Sequence, residues 1–481
     1  MSDLPPGWEW AKLGEIGTWF GGGTPSKSKP EYWLDATIPW LSPKDMGSNV
    51  LAGTQDKISQ LALANSAVRL VPSNSVAIVV RSGILERRLP VAVVPFGTTL
   101  NQDMRAVVPF AGVSPRWVAY FLRSIESQIL KKCAKRGTTV ASIDVPSLMD
   151  IPVPIAPGGE QERILAVLEG HLSRVDAAEK SLRAVFGGLN RFEQALLDSV
   201  ALGRDQRLEG SESFVELLHR TPKKIDYGSL PSLPSSWRWR VASDVCSSIE
   251  CGSTPKSHLM YPGEGEIPFL KVYNLTRWGV VDFSVRPTFV DRATHDSLLK
   301  RSRVYPGDVL TNIVGPPLGK TAVVPDSWPE WNINQAIVAF RAGSEVNPGW
   351  LEVVLRSPFV LGLLRRTARA TAGQFNISLS TCRELPIPVP PLVEQLALVE
   401  STRERIRGLR RLEKDVGLLD RRNSALRRSL LVEAFAGGLV PQDAHEEPAS
   451  ALLERLRLER VTQLRNKRVR RAVNQHQETT L

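Results

Sequence analysis

The sequence repeats itself over most of its length, and this repeat limits the possible folds more than any other feature. Residues 4–10 read LPPGWEW and residues 233–239 read LPSSWRW, an offset of 229. The run IPVPIAPGGEQ at 151–161 recurs as LPIPVPPLVEQ at 385–395, an offset of 234. Because such matches are collinear at nearly one offset, the chain consists of two diverged copies of a unit of about 230 residues.

The first part of each copy is rich in Gly, Pro and Trp, with short apolar runs between them. Runs of that length, bounded by Pro and Gly, predict strands, and a Pro often opens a helix. The predicted strands include Val76–Val80, Val91–Val94, Val309–Val314 and Ala322–Val324, and the predicted helices are Arg116–Lys132 and Gly349–Thr367. This mixture predicts a compact α+β domain in each copy.

The second part of each copy, 160–202 and 394–436, contains no Pro and carries heptads. One seam position is filled in the first copy by Leu168, Val175, Leu182, Leu189 and Leu196, and in the second by Leu409, Val416, Asn423 and Leu430. We assign the other seam position to His171, Ala178, Val185, Phe192 and Ser199, and to Leu412, Leu419 and Leu426. The pattern predicts a paired coiled coil in which Asn423 fixes the register. The alternative is two amphipathic helices, each packed on its own domain.

These patterns divide the chain into six predicted segments. They are a globular domain at 1–157, a long helix at 158–203, a connector at 204–228, a second globular domain at 229–391, a second long helix at 392–440 and a basic tail with a helix at 441–481.

The charge balance points to a polyanionic partner. The chain of 481 residues has 61 Lys and Arg against 50 Asp and Glu, a net charge of +11, which favours nucleic acid. Its four Cys form no C-x-x-C pair, which predicts free thiols in a reducing compartment. It has neither an apolar leader nor a run of 18 apolar residues. We therefore expect a cytoplasmic protein that does not enter a membrane.

No motif supports catalysis or a bound cofactor. Gly315–Thr321 resembles a phosphate-binding P-loop, but it has three residues between the glycines instead of four, and two of them are Pro. Phe20–Gly23 resembles a loop that binds a methyl donor, but Thr24 follows where a Gly is needed. The six His show no metal-ligand spacing. The sequence thus predicts no catalytic residue, no metal and no cofactor on this chain.

Two pairs of loops fit contact with nucleic acid instead. Short hydroxyl and basic side chains on Gly-rich loops can bind phosphate oxygens, and amides such as Gln374 and Asn376 can read adenine. The candidate DNA-binding residues are Thr24, Ser26, Lys27, Lys29, Arg81, Lys132, Lys135, Arg136, Thr138, Thr254, Lys256, Ser257, Asn312, Arg365, Arg366, Arg369, Gln374 and Asn376. Ordinary solvated loops and helix ends are the alternative. We interpret the repeated Asn-Gln pairs at 101–102 and 334–335 as structural.

The order of landmarks resembles the specificity subunit of bacterial Type I restriction–modification enzymes. Each copy opens with L-P-x-x-W-x-W and G-x-T-P and closes with a Pro-rich run and Glu-Gln before a long helix. The stretches 434–443 and 447–454 are also similar to that family. The first helix departs from the pattern through Gly187-Gly188 and its ending at 200–204.

The resemblance implies two target-recognition domains related by pseudo-twofold symmetry and joined by two helices that form an antiparallel coiled-coil spacer. It also implies double-stranded DNA with a bipartite target, two methyltransferase subunits and restriction subunits as partners. S-adenosylmethionine, ATP and Mg would be used by those partners, and this chain would be non-catalytic. Two alternatives remain at this point: a standalone DNA-binding or architectural protein, and a solitary enzyme whose site is dispersed in the sequence.

Overall fold

The computed structural model describes residues 4–135, 140–204, 225, 227, 230–315, 317–367, 369–371 and 374–458. It divides into two compact units. Unit 1 comprises Met1–Lys180 with Asp420–Leu481, and unit 2 comprises Ser181–Leu419. Within the described residues no helix is both long enough and apolar enough to cross a membrane.

Unit 1 is a mixed α+β unit built from short strands. Its strands are β1 (Glu9–Lys12), β2 (Gly17–Gly21), β3 (Ile38–Leu41), β4 (Asp56–Ile58), β5 (Ser75–Val79), β6 (Val91–Val94), β7 (Thr99–Leu100), β8 (Met104–Pro109) and β9 (Pro152–Ile155). Its helices are α1 (Gln60–Asn65), α2 (Pro115–Ser124), α3 (Glu126–Lys132) and α4 (Val145–Met149). The long helix α5 (Gly158–Ala201) begins in this unit.

The largest sheet of unit 1 is antiparallel, in the order β2-β8-β5-β6. A smaller sheet has the order β4-β3-β7, and β1 pairs with β9. All five residues of β5 are buried, which explains the continuous apolar run that follows Ser75 in this strand. Trp117 of α2 is fully buried, and its indole N–H donates to the carbonyl of Pro154 in β9 at 2.9 Å.

Unit 2 repeats this arrangement. Its strands are β10 (Arg238–Val241), β11 (Cys246–Cys251), β12 (Tyr261–Pro262), β13 (Ile267–Leu270), β14 (Thr288–Val290), β15 (Arg303–Val304), β16 (Val309–Asn312), β17 (Thr321–Val323), β18 (Trp331–Ile333), β19 (Ile337–Ala342), β20 (Arg369–Thr371), β21 (Gln374–Asn376) and β22 (Pro386–Val389). Its helices are α6 (Ala242–Val245), α7 (Arg292–Asp296), α8 (Pro348–Arg356), α9 (Pro358–Thr367), α10 (Leu379–Arg383) and most of α11 (Leu392–Phe435).

The sheets of unit 2 correspond to those of unit 1. The order β11-β19-β16-β17 matches β2-β8-β5-β6, and the pair β10-β22 matches β1-β9. The sheet β12-β14-β13-β18-β15 contains the counterpart of β4-β3-β7 with one added strand at each edge. Trp350 of α8 donates to the carbonyl of Pro388 at 2.7 Å, as Trp117 does to Pro154. The mixed helix-and-strand fold expected from the sequence is confirmed.

The repeated Glu-Gln before each long helix has a structural role. The side chain of Gln161 is buried and donates to the carbonyls of Gly112 and Ala156 at 3.2 and 2.8 Å. Gln395 is equally buried and donates to the carbonyls of Glu345 and Pro390 at 2.9 and 2.8 Å. Each Gln thus joins the start of a long helix to the loop before α2 or α8, which explains why this pair recurs.

Two helices predicted as single are each split. Residues 116–132 form α2 and α3, which are separated at Ile125 with φ −108° and ψ 16°. Residues 349–367 form α8 and α9, which are separated at Ser357 with φ −64° and ψ 142°. The second break has a local cause, because Pro358 disfavours helical geometry in the residue before it.

The long helices follow the predicted heptads at one seam position and not at the other. Leu168, Val175 and Leu196 are buried in α5, and Leu182 and Leu189 are half-buried. Leu409 and Val416 are buried in α11, and Asn423 and Leu430 are half-buried. In unit 1 the Asn423 amide donates to the carbonyl of Val175 at 3.0 Å, which ties the two helices at one register. Helix α5 continues through Gly187-Gly188.

The other seam position lies one residue later than predicted. Residues 172, 179, 186 and 193 in α5, and 406, 413, 420 and 427 in α11, are buried or half-buried. The predicted seam residues Val185, Phe192, Leu412, Leu419 and Leu426 are instead 45–57% exposed. His171 and Ala178 are also exposed, and Ser199 is half-buried. The prediction failed because the true seam carries Glu179, Glu193, Glu413, Asp420 and Arg427, so hydrophobicity alone gives the wrong phase.

The segment after α11 completes the core of unit 1. Residues 449–458 are helical, and Leu452, Leu453 and Leu456 pack into that core. The backbone N–H of Ala449 donates to the carbonyl of Gly7 at 2.8 Å. The sequence predicts a helix within the segment 441–481, and the described part of that segment is helical from residue 449 to residue 458. Residues 459–481 and nearly all of the predicted connector 204–228 lie outside the described residues.

Candidate nucleic-acid interface

In unit 1 the Thr-Pro loop after β2 is held close to the turn between β7 and β8. A Cβ on Gly22 would lie 1.7 Å from the carbonyl oxygen of Asn101, so only Gly fits there. The N–H of Gly23 donates to the carbonyl of Leu100 at 2.8 Å. The indole N–H of Trp40 donates to the Gly23 carbonyl at 3.1 Å. These contacts fix the loop before it reaches Thr24.

In unit 2 the corresponding loop after β11 is held in the same way. A Cβ on Gly252 would lie 2.1 Å from the carbonyl oxygen of Asn334. The N–H of Ser253 donates to the carbonyl of Ile333 at 3.1 Å. The thiol of Cys251 contacts the carbonyl of Gln335 at 3.3 Å, and burial raises its pKa, with the nearby Glu250 charge adding to the shift. Cys251 is half-buried, and its raised pKa favours the protonated thiol.

Each Thr-Pro loop meets an exposed glutamine. In unit 1 the Thr24 hydroxyl donates to the side-chain carbonyl of Gln102. In unit 2 the backbone N–H of Gln335 donates to the Thr254 hydroxyl at 3.4 Å. Both Gln side chains are exposed, as are both Thr side chains. The sequence alone indicates a structural role for both glutamines and does not identify them as surface groups, although the Asn-Gln pair recurs in both copies.

The same edge of unit 1 continues to the end of β5 and to a returning segment. The N–H of Arg81, just after β5, donates to the carbonyl of Asp103 at 3.3 Å, and Arg81 forms a bridge with Ser142. The N–H of Lys135 donates to the Ser142 carbonyl at 2.9 Å. Thus Thr24, Arg81 and Lys135, far apart in the sequence, come together around the glutamine turn.

An acidic group balances part of this edge. The Lys135 ammonium lies 3.9 Å from the Asp144 carboxylate, and both side chains are at least 36% exposed. Hydrogen bonds from the backbone and hydroxyl of Ser147 lower the pKa of Asp144. Asp144 caps α4 and also attracts Lys135 weakly across 3.9 Å, whereas the Lys135 side chain is 50% exposed and therefore accessible to another anion.

Unit 2 has the same frame with different side chains. The N–H of Ile313 donates to the carbonyl of Ala336 at 2.8 Å, and Val314 forms a bridge with Asn376. Asn376 ends the hairpin β20-β21 and is exposed. Val314 occupies the place that Arg81 has in unit 1. Arg369 pairs with Asn376 across that hairpin, as Lys135 pairs with Ser142 in unit 1. The edge of unit 2 therefore lacks a counterpart of Arg81 but keeps a basic residue at the position of Lys135, and it carries the exposed amide of Asn376 where unit 1 has Ser142.

The structure does not support a DNA contact by Asn312. Its side chain is fully buried and donates to the carbonyls of Val314 and Pro317 at 3.2 and 2.9 Å. It also accepts from the Lys320 N–H at 2.6 Å. The prediction for Asn312 is wrong, because its side chain is buried and its amide makes these hydrogen bonds within its own loop.

The remaining candidates fall into three groups. Ser26, Lys27, Lys29, Lys256, Ser257, Arg365 and Arg366 are exposed on the loops and helix ends where they were predicted. Lys132 lines a separate pocket of about 640 Å³ with Trp10 and Asp150. Arg136 and Thr138 lie outside the described residues, and for Arg369 and Gln374 only the backbone is described.

The long helices carry an exposed apolar stripe at heptad spacing. Val185 and Phe192 on α5 are 45% and 57% exposed, and Leu419 and Leu426, each 234 residues later on α11, are 49% and 51% exposed. Equivalent positions on both helices therefore leave large apolar side chains in water. Exposed apolar surface of this regularity is typical of protein–protein contact sites.

Among the described residues the potential metal ligands are dispersed, and three of the four thiols are buried. In that part of the chain, no cluster of three or more His, Cys, Asp or Glu side chains could hold a metal ion. Burial raises the pKa of the Cys246 thiol to about 12, and that of Cys382 to about 12 as well. Those two thiols are protonated at neutral pH and therefore poor nucleophiles.

The chain is similar to a known DNA specificity domain and to several specificity subunits. Residues 5–185 match the family model of the Type I restriction modification DNA specificity domain. The Type I restriction enzyme EcoR124I/EcoR124II specificity subunit of Escherichia coli is 45% identical over 34% of this chain and 40% of its own length. The MjaIX specificity subunit of Methanocaldococcus jannaschii is 22% identical over 59% of this chain and 62% of its own length. The matched regions thus span less than two thirds of both relatives.

Another relative matches along nearly the whole chain. The StySPI specificity subunit of Salmonella potsdam is 24% identical over 95% of this chain and 96% of its own length. A solved chain from work on complex assembly and conformational transition of the type I R-M system superposes with a TM-score of 0.68. It is 19% identical and covers 91% of this chain and 100% of its own length, which shows a shared fold.

Proposed function

We propose that this chain, which belongs to the family of Type I restriction–modification specificity subunits, supplies the DNA address of a multisubunit enzyme. Each unit reads one half of a two-part sequence in double-stranded DNA. The chain itself transfers no methyl group and cuts no strand.

The observation that carries this proposal is the repeated polar edge. Each unit brings a Thr-Pro loop, an exposed glutamine and a returning segment to one place, although those parts are distant in the sequence. The frames are the same, but Arg81 and Ser142 in unit 1 correspond to Val314 and Asn376 in unit 2. A shared frame with different side chains suits two readers of different base sequences.

The exposed stripe on the long helices supports docking of partner subunits. Because Val185 and Phe192 on α5 recur as Leu419 and Leu426 on α11, the stripe offers two equivalent apolar surfaces. Two equivalent surfaces suit two copies of one partner, which we identify as the methyltransferase subunits. Restriction subunits join the complex through them.

The chemistry lies with these partners. Methyltransferase subunits use S-adenosylmethionine to modify adenine, and restriction subunits use ATP and Mg to translocate and cut DNA in the cytoplasm.

The test uses a host that lacks DNA methylation of its own. The chain is expressed with the methyltransferase subunit of its own system, and methylated positions are mapped across the genome. We expect one discontinuous motif, present only when both proteins are made. A methylated motif that persists without this chain, or methylation by this chain alone, would overturn the proposal.

A further inference from the structure

Gln102 and Gln335 occupy equivalent turns in the two units, 233 residues apart in the sequence. Gln102 lies between β7 and β8, and Gln335 lies between β18 and β19. Each turn joins the end of a strand in one sheet to the start of a strand in another sheet of the same unit. A short turn between two strands that are each held in a sheet positions a side chain more rigidly than a long loop does. Both amides are nevertheless exposed, which is the combination expected of a group that contacts a ligand.

The surrounding contacts fix these turns closely. Leu100 and Asn101 in unit 1, and Ile333 and Asn334 in unit 2, bind the Thr-Pro loops through backbone hydrogen bonds or close contacts with Gly22 and Gly252. Within each unit the turn and the loop therefore form one rigid edge.

We infer that Gln102 and Gln335 read bases, one in each half of the DNA target, by binding the major-groove edge of adenine; this inference rests on the proposed function. A glutamine amide presents a donor and an acceptor side by side, which matches N7 and N6–H of adenine. It carries no charge, so it adds little to the attraction of phosphates for any sequence.

The hydrogen bonding in unit 1 orients the amide for that task. The Thr24 hydroxyl donates to Gln102 Oε1, which leaves that oxygen a second lone pair. Gln102 Nε2 lies 3.4 Å from an Asp103 oxygen and keeps another N–H. One free lone pair and one free N–H are what a bidentate contact with adenine needs. Thr24 is thus a positioning residue.

The neighbours of the two glutamines differ, so the two half-sites should differ around a common adenine. Gln102 is flanked by Asp103 and lies near Arg81, whereas Gln335 is flanked by Ala336 near Val314. An Arg side chain can donate hydrogen bonds to guanine, and an Asp side chain can accept one from cytosine. Ala336 and Val314 have no side-chain group that can make either hydrogen bond. The shared glutamine therefore specifies what the two halves have in common.

The experiment compares Gln102→Ala, Gln335→Ala and the control Gln128→Ala in the full chain with its methyltransferase subunits. Gln128 is exposed on α3 of unit 1, so its loss controls for removal of a surface amide. Two readouts are taken: the methylated motif in cells, and the affinity of the purified complex for its target and for random DNA.

We expect Gln102→Ala to make one adenine position degenerate in one half of the motif, and Gln335→Ala to do so in the other half. Affinity for the target should fall about 5- to 150-fold, the range for one lost bidentate contact, with no change on random DNA. Gln128→Ala should behave as wild type. The near-isosteric Gln335→Glu, which replaces the amide donor by an acceptor, should show the same half-specific loss.

Two results would overturn the inference. One is an unchanged motif and affinity in both alanine variants, and the other is an equal loss of binding on target and random DNA. If the complex that contains the wild-type chain yields no discontinuous motif at all, the proposed function itself has failed, and the inference fails with it.

Discussion

The guanidinium of Arg356 lies 2.7 Å from the carboxylate of Glu193, and both side chains are at least 95% buried. This pair joins α8 to α5 within unit 2. Arg356 also contacts Glu352 at 2.7 Å and donates to the carbonyl of Arg277 at 2.9 Å. In unit 1 the residue at the position of Glu193 is Arg427, which pairs with Asp176 and Glu179 instead.

The first prediction concerns this buried pair. Replacing Glu193 by Ala leaves Arg356 buried with only Glu352 as its counter-ion, and breaking a buried pair costs about 3–5 kcal/mol. We expect the free energy of unfolding of unit 2 to fall by an amount near the lower end of that range. Hydrogen exchange of α8 in urea measures it. Glu413→Ala, which removes a more exposed partner of Arg277, should cost under about 1 kcal/mol.

The second prediction concerns phosphate contacts. Lys27→Ala or Lys256→Ala removes an exposed cation from a Thr-Pro loop. Binding should weaken about equally on target and random DNA, and the slope of log affinity against log salt should fall by about one for each Lys. The measurement is a salt titration of binding by the full complex. A changed methylation motif in Lys256→Ala would show that Lys256 reads bases.

The third prediction concerns the exposed stripe. Phe192→Ser should leave the unfolding free energy of the chain nearly unchanged, because that side chain is 57% exposed, and should weaken binding of the methyltransferase subunit. Analytical ultracentrifugation of the mixed proteins measures the second effect. Leu196→Ala, at a buried position of the seam that the sequence predicted correctly, serves as the contrast: it should lower stability by about 2–5 kcal/mol. Unaltered assembly of Phe192→Ser would contradict docking at the stripe.

The fourth prediction concerns pH and thiol reactivity. Burial raises the pKa of Cys246 and Cys382 to about 12, so both remain protonated in the folded chain at pH 9. Iodoacetamide at pH 9 should modify them only after unfolding, as mass spectrometry would show. Since the unfolded thiols lose their protons near pH 9, the free energy of unfolding should fall as pH rises from about 9 towards 12. Rapid labelling of native Cys382 would contradict this.

The sequence predicted the repeat, the mixed fold and one seam of each long helix, because those features depend on the order and spacing of apolar, Pro and Gly residues along the chain. It did not predict the second seam, where Glu193 and Arg427 are held by ion pairs that depend on tertiary structure. It also misread Asn312, whose partners are set by a folded loop. The glutamine turns were visible as repeats, but only the fold shows that their amides reach the surface.

The composition of unit 1 has a consequence for synthesis on the ribosome. Its core contains residues from β1 onwards, but also Leu431 in α11 and Leu452 beyond it. The unit whose residues emerge first can therefore complete its core only after nearly the whole chain has been translated. Unit 2, which is continuous from Ser181 to Leu419, has no such delay. During translation, residues 1–180 therefore expose apolar surface until residues 420–481 have been made. We expect chaperones to bind this part of the nascent chain rather than unit 2.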